Sequence, residues 1–241
     1  MTNPSLQNYV DWKDWADDAF GQLDINHARY FHWHVQRAIG EPSQARVLEI
    51  GFGNGAFLGY CRRRGWDVVG VEIDARLRAR ADCAGFKAVS NMSALPDNDR
   101  YDLIVLFDVL EHVASDELVD FLGGLALRLS PGAALLLRVP NGDSPFGRHH
   151  QHGDLTHVTT FGSSKLVQLA QLCRLRVSTS GESPWNAQQH EPPGIRSLCR
   201  ASVRYMTARI FGFAFFHRRV DLQENLVAVL VRDEGEGNRT L

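Results

Sequence analysis

The sequence predicts an α/β fold: a seven-stranded, mostly parallel sheet with helices on both faces, an N-terminal helical cap and a helical insert before the last strand. Three observations lead there. Short apolar runs alternate with amphipathic segments along most of the chain. The first run, Arg46 to Ile50, empties into Gly51-Phe52-Gly53-Asn54-Gly55. The second ends on an acid, Glu72. Buried strands joined by helical crossovers give a parallel sheet covered on both faces.

The elements follow in order. Trp12, Trp15, Ala19, Phe20, Leu23, Tyr30, Phe31 and Val35 recur at helical spacing, so residues 5–40 read as helical until Glu41-Pro42-Ser43 breaks the pattern. Residues 46–50 are a strand. Residues 56–64 are a short helix stopped by Gly65, with Arg62, Arg63 and Arg64 in the last turn, where positive charge suits the helix dipole. Strands at 67–72 and 86–89 enclose a helix at 75–84. Residues 101–107 form a strong strand, followed by a helix over 116–129. Pro131-Gly132 turns the chain into a strand at 133–139. A histidine-rich loop leads to a helix at 163–172, a strand at 175–180 and a last, antiparallel strand at 224–232. The chain divides into a cap (1–45), a core (46–181), an insert (182–220), the final core strand (221–232) and a polar tail (233–241). The cap and insert are expected to flank the carboxyl edge of the sheet.

A chain of 241 residues fills one sizeable α/β core rather than two. Its net charge of -2 gives no general case for nucleic-acid binding. Cys61, Cys83, Cys173 and Cys199 are scattered without a CxxC pair, which argues against a zinc cluster or disulfide framework and for a reducing cytoplasm. The N-terminus lacks a basic start followed by an apolar run, so it reads as no secretory signal. No stretch is apolar enough to span a bilayer.

Gly51 to Ala56 also satisfies G-x-G-x-x-[GA], a dinucleotide pattern that is weak alone. Glu49, two residues before Gly51, disfavours a pyrophosphate and suits a ligand carrying an ammonium and a sulfonium. A carboxylate at Glu72 can accept hydrogen bonds from both ribose hydroxyls, a feature a dehydrogenase would share. Asn91-Met92-Ser93-Ala94-Leu95-Pro96, then Tyr101 to His112, then Leu129-Ser130-Pro131-Gly132 complete the series.

In this order and spacing the segments resemble the class I S-adenosylmethionine (SAM)-dependent methyltransferase family over residues 46–180. The resemblance implies SAM as cofactor. It implies that Glu49, Gly51, Gly53 and Gly55 pack on the methionine part, so that a side chain at Gly51 would fill space the ligand needs. It implies that Glu72 binds the ribose, with Ile73 beside it. Asn91 and Met92 would meet the adenine, and Phe107 and Asp108 would lie beside the reactive methyl. Plainer readings stand next to these: Gly55 lets a helix pack on a strand, Asp74 caps the following helix, and Met92 fills the core.

A hydroxyl acceptor needs its proton removed, whereas an amine need only be neutral, and histidine suits either task. His149-His150-Gln151-His152-Gly153-Asp154-Leu155-Thr156-His157 follows the fifth strand at its carboxyl end, where open α/β sheets bind ligands. His157, oriented by Asp154, is expected to face the acceptor and assist proton removal or positioning. His152 and His112 are the further candidates. The spacing of His152, Asp154 and His157 matches no metal motif, so no metal is expected. Asp154 and His157 can equally serve to pin the loop.

The C-terminal third carries a second resemblance, to methyltransferases of bacterial surface-polysaccharide clusters. It rests on Asn141, on Asp154-Leu155-Thr156-His157 with Phe161 four residues later, and on Pro193-Gly194-Ile195-Arg196 before an Arg-rich aromatic helix and the strand Asn225 to Val229. It implies a hydroxyl or amine of a sugar or glycan intermediate as acceptor. A quinone-like or phenolic small molecule is the alternative acceptor, and a noncatalytic SAM-binding protein the alternative role. Arg196, Arg200 and Arg204 share a helix face, with Ile210, Phe211, Phe213, Phe215 and Phe216 further on. That pattern reads as a lid burying its aromatics, as a site for an anionic acceptor, or as a weak contact with a membrane surface. The expected partner is thus a small-molecule or glycan acceptor and no nucleic acid. The sequence sets no oligomeric state.

Overall fold

The computed structural model describes residues 20–181, 195–216 and 222–233. In chain order these contain α1 (Ile25–Ile39), β1 (Arg46–Ile50), α2 (Ala56–Arg64), β2 (Asp67–Val71), α3 (Ala75–Cys83), β3 (Lys87–Val89), β4 (Tyr101–Phe107), α4 (Leu118–Ala126), β5 (Leu129–Pro140), α5 (Arg148–His152), α6 (Ser163–Leu172), β6 (Leu175–Ser180), α7 (Ile195–Phe211) and β7 (Asn225–Arg232). Short 3₁₀ turns cover Met92–Ala94 and Leu110–His112.

The strands form one seven-stranded sheet in the order β3-β2-β1-β4-β5-β7-β6. Pairing is parallel from β3 to β5, and β7 lies antiparallel between β5 and β6, as expected. Strand order reverses between β2-β1 and β4, so the crevice at the carboxyl ends of β1 and β4 is where such sheets place ligands.

Alternate strand residues point to opposite layers. Leu48, Ile50, Ile104, Leu106, Leu135 and Leu137 pack with Leu122 of α4 and Leu166 of α6. Val47, Leu103, Val105, Ala134 and Leu136 pack with Phe31 of α1, Phe57 of α2 and Leu77 of α3.

The expected helix over 5–40 does not run unbroken. Asp24 starts a new helix at Ile25 by accepting from the backbone N–H groups of Asn26 (2.7 Å) and His27 (3.0 Å). Trp12, Trp15 and Ala19 lie outside the described residues, as do Pro193 and Gly194. Pro131-Gly132 does not turn the chain into β5 but sits within it. Tyr101 pairs with Leu129 and Leu103 with Ala134, so β5 carries extra residues as a bulge, and α4 ends early to free Leu129 for pairing.

The described part of the insert is α7, continued by a π-helical turn at Gly212–Phe216. A lid that buries its aromatics does not describe it, since Phe213 is 85% and Phe215 70% exposed. Among the described residues no helix is long and apolar enough to cross a membrane.

One aromatic cluster fixes the cap to the site. Phe31 of α1 stacks on Phe107 at the end of β4 (5.5 Å, 16° between planes). Phe57 meets both edge-on, at 5.1 Å and 5.6 Å. Because Phe57 is buried against both partners, Phe57→Ala should cost about 3–5 kcal/mol. Urea denaturation followed by circular dichroism checks this, and a loss below ~1 kcal/mol would show that the cluster relaxes around the gap.

Candidate active site

The turn from β1 into α2 is built from left-handed residues. Gly51, Gly53 and Gly55 have φ of +68°, +50° and +72°, a region that L side chains rarely adopt. A Cβ on Gly51 would lie 2.7 Å from Cγ2 of Val109, so a side chain there strikes the protein wall before it reaches any ligand space. Gly55 follows the plainer expectation of packing, with Phe20 rather than a strand as its neighbour: a Cβ there would meet the Phe20 ring at 2.6 Å. The loop is clasped by Gly21 N donating to the Asn54 carbonyl at 2.9 Å.

Two buried carboxylates stand at the base of this loop. Burial, then the charge of Glu72, pushes Glu49 well above the ordinary value of 4.5, and Leu58 N–H offsets part of that. Its Oε2 has no hydrogen-bond partner. Glu72 is also raised, again by burial first, although the backbone N–H groups of Asp74 (3.1 Å) and Gly53 (3.4 Å) donate to it. Two buried acids, one with an orphaned oxygen, fit a ligand that brings ribose hydroxyls and an ammonium. They do not fit a pyrophosphate.

Other expected contacts sort differently. Ile73 is 67% exposed beside Glu72. Asn91 spends its side-chain carbonyl as a cap, accepting from Ala94 N (3.1 Å) and Ser93 Oγ (2.6 Å). Met92 packs partly buried against the core. Asp74 does cap α3, accepting from Arg76 N at 2.8 Å. Phe107 belongs to the aromatic cluster. Asp108 takes φ of +58° and forms a two-point ion pair with Arg138, whose guanidinium lies over the rings of Tyr30 and Phe107. Its carboxylate is thereby held in an ion pair.

Past β4, the turn Leu110–His112 is lashed to the loop that leaves β5. Val158 N and Thr159 N donate to the Glu111 carbonyl at 2.9 Å and 3.0 Å, and Thr159 Oγ1 donates to the Val113 carbonyl at 2.7 Å. Thr156 Oγ1 donates to Asp154 Oδ1 at 2.6 Å, so His112 Nδ1, 2.9 Å away, must be the donor to that hydroxyl. His157 Nδ1 faces the Gln151 carbonyl at 3.2 Å. Its Nε2 lies 3.9 Å from both Glu111 Oε1 and Asp154 Oδ2, too far for a hydrogen bond.

The expected Asp154–His157 pair is therefore a juxtaposition, because Asp154 commits its strong bonds to Thr156. Those bonds outweigh burial and hold Asp154 below its ordinary value. Burial, with the nearby His157, holds His112 below 6.5. His152 sits apart, exposed on α5. Sequence reasoning missed Glu111, which is fully buried and pushed well above 4.5 by burial and then by Asp108. Its only signal was a charged residue between Leu110 and Val113 at a strand exit.

A family model described as a methyltransferase domain matches residues 23–177, and the chain belongs to that family. No curated protein sequence matches the chain. Among solved structures, a SAM-dependent methyltransferase from Archaeoglobus fulgidus superposes with a TM-score of 0.61 at 14% identity, covering 95% of this chain and 99% of that one. A TehB-like SAM-dependent methyltransferase from Corynebacterium glutamicum gives 0.57 at 20% identity, covering 95% and 100%. The 1,6-didemethyltoxoflavin-N1-methyltransferase of Burkholderia thailandensis, solved with S-adenosylhomocysteine, gives 0.57 at 17% identity, covering 93% and 84%. With this fold and this cradle, the protein is a SAM-dependent methyltransferase.

The raised carboxyls make a pH prediction. Glu49 and Glu72 hold protons more tightly folded than unfolded when no cofactor is bound. Their contribution to stability is complete below about pH 4.5 and is lost as pH rises through their folded values. Urea midpoints of the cofactor-free protein at pH 5 and pH 8 should differ less in Glu49→Gln than in wild type. Equal differences would mean that Glu49 is not strained by its burial.

Proposed function

We propose that the chain transfers the methyl group of SAM to a hydroxyl or amine of a sugar or glycan intermediate. When bound, SAM supplies a methyl already activated by its sulfonium for in-line displacement. The chain's own residues bind and orient. Glu72 would accept from the ribose hydroxyls, with Ile73 over the neighbouring edge. Glu49 and the glycine turn would hold the amino-acid end. Asn91 and Met92 would border the adenine. Phe107 and the Asp108–Arg138 pair would shape the wall beside the methyl. Holding an acceptor behind that methyl accounts for much of the rate.

The observation that carries the acceptor reading is the histidine-bearing loop tied to the exit of β4, next to Val109 and hence to Gly51. It lays a polar wall where an acceptor would stand. His157, Asp154 and His112 position that loop, with their bonds directed inward. His152, exposed at the end of α5, would be the candidate to take an acceptor proton. The second reading, an apolar small molecule, is favoured by Phe146, Leu155 and Val158, which are exposed on the same stretch. A screen of labelled SAM against nucleotide sugars, glycan intermediates and phenols separates the two. Transfer to phenols alone would overturn the glycan reading.

Two variants test the residue roles. Glu72→Ala should fold and lose SAM affinity by about 10- to 100-fold, since charged hydrogen bonds of roughly 1.5–3 kcal/mol each are at stake. Unchanged affinity by calorimetry would remove Glu72 from the site. His152→Ala should bind SAM as wild type does and lower kcat by about 10²-fold or more if His152 takes the proton. A loss confined to KM would make it an acceptor-binding residue.

A further inference from the structure

The geometry points to a site for a divalent first-row transition cation of the zinc class, held by Glu111, His112 and His157, with Asp154 beside His157. One ligand atom from each of Glu111, His112 and His157 lies within 4.8 Å of the other two. The site bridges the turn after β4 and the loop after β5. It is independent of the SAM cradle and of the identity of the acceptor.

The spacing is the first argument. His157 Nε2 stands 3.9 Å from an oxygen of Glu111 and 3.9 Å from an oxygen of Asp154. These groups are too far apart to bond each other, yet both acids lie near the same imidazole nitrogen. Around a tetrahedral ion with bonds near 2.1 Å, neighbouring ligand atoms lie about 3.4 Å apart. From 3.9 Å, a contraction of roughly half an ångström brings His157 and Glu111 to that spacing, and the whole set lies within 4.8 Å, in reach of side-chain rotations.

The second argument is the state of the ligands. Metal-binding histidines donate one ring N–H to a carbonyl or hydroxyl, which fixes the tautomer and aims the other nitrogen. His157 Nδ1 meets the Gln151 carbonyl at 3.2 Å, so its Nε2 carries the lone pair toward the two acids. His112 Nδ1 meets the carbonyl of Thr156 at 3.2 Å and its hydroxyl at 2.9 Å, so Nε2 is the ligating nitrogen of that ring. The Thr156 hydroxyl is itself oriented by Asp154 Oδ1. Each histidine thus has the support that a metal ligand has.

The third argument is Glu111. Its side chain is fully buried, and neither oxygen has a hydrogen-bond partner. Asp154 Oδ2, 3.9 Å from the same His157 nitrogen, has none either. Buried carboxylate oxygens are almost always paired or bound to a metal. Two imidazoles with carboxylates suit zinc or a similar ion, whereas magnesium and calcium prefer all-oxygen sets. The local spacing of His152, Asp154 and His157 does not show this set, since its ligands are spread from residue 111 to residue 157 and meet only when the loop folds back.

The test uses the full chain stripped with a chelator, then titrated with Zn²⁺ by calorimetry and with Co²⁺ by visible absorption. One ion per chain is expected, with a rise in the thermal midpoint. Glu111→Gln should weaken uptake by more than about 100-fold, beyond the ~10- to 100-fold that the loss of a ligand's hydrogen-bond partner usually costs. A triple variant, His149→Ala with His150→Ala and His152→Ala, should keep the ion. Uptake that survives Glu111→Gln but vanishes in the triple variant overturns the proposal in favour of the surface histidines. If Glu111→Gln does not fold, the Co²⁺ spectrum of the wild type decides. Intense bands of a nitrogen- and oxygen-ligated, low-coordinate ion support the site, and the weak spectrum of hydrated Co²⁺ overturns it. SAM calorimetry on the same stripped protein keeps this outcome separate from the fate of the cofactor reading.

Discussion

The site depends on one constraint: the chain must turn from β1 into α2 while leaving no side chain on the inside of the turn. Three left-handed glycines achieve this, and the surroundings close on them from each side. Val109 stands where a Cβ of Gly51 would go, Phe20 where a Cβ of Gly55 would go, and Gly21 holds the carbonyl of Asn54. The exit of β4 and the cap are thereby both referred to the same few atoms. Once that turn is set, Glu49 and Glu72 are brought within range of each other's charge, and the crevice acquires its electrostatic character.

That character is a form of preorganisation. Two carboxyls are held above their ordinary range and Glu49 Oε2 has no partner, so an incoming donor would find an acceptor whose desolvation has already been met during folding. On the other side of β4 the arrangement inverts. Asp108 is satisfied by Arg138 under aromatic rings, and the acids beyond it converge with two imidazoles instead of with backbone donors. One strand exit separates the two buried acids under the glycine turn from the cluster of acids and imidazoles beyond it.

The sheet was legible because apolar runs, glycines and strand-end acids are local signals. β1, β2, β4, β6 and β7 fall within a residue or two of their sequence positions, and the antiparallel last strand follows its expectation. What was not legible depended on register or on folding back. The bulge in β5 is set by which residue of β5 meets Tyr101, and hydropathy carries no such information. The break before α1 turned on one capping acid within an otherwise helical pattern. Around the site, the glycine turn and the strand-end acids fall where their spacing puts them, but the partners of Asn91, Asp108 and Asp154 did not show in the sequence. Those partners are Ser93 with Ala94, Arg138 and Thr156 respectively, and each is set by the folded loops. Glu111 shows the limit most clearly, since its neighbours arrive some forty residues later.

The position of β7 has a consequence for how the molecule assembles. β6 hydrogen-bonds only to β7 within the sheet, and β7 comes from residues 225–232. The edge strand at 175–180 therefore has no partner until a segment made much later slots in beside β5. Pairings of this sequence separation form slowly, because a long loop must close before any bond is gained. During synthesis the flank of β5 stays open, an adhesive edge of unpaired amides and carbonyls. This strand ordering places the chain's period of greatest aggregation risk just before its last strand emerges.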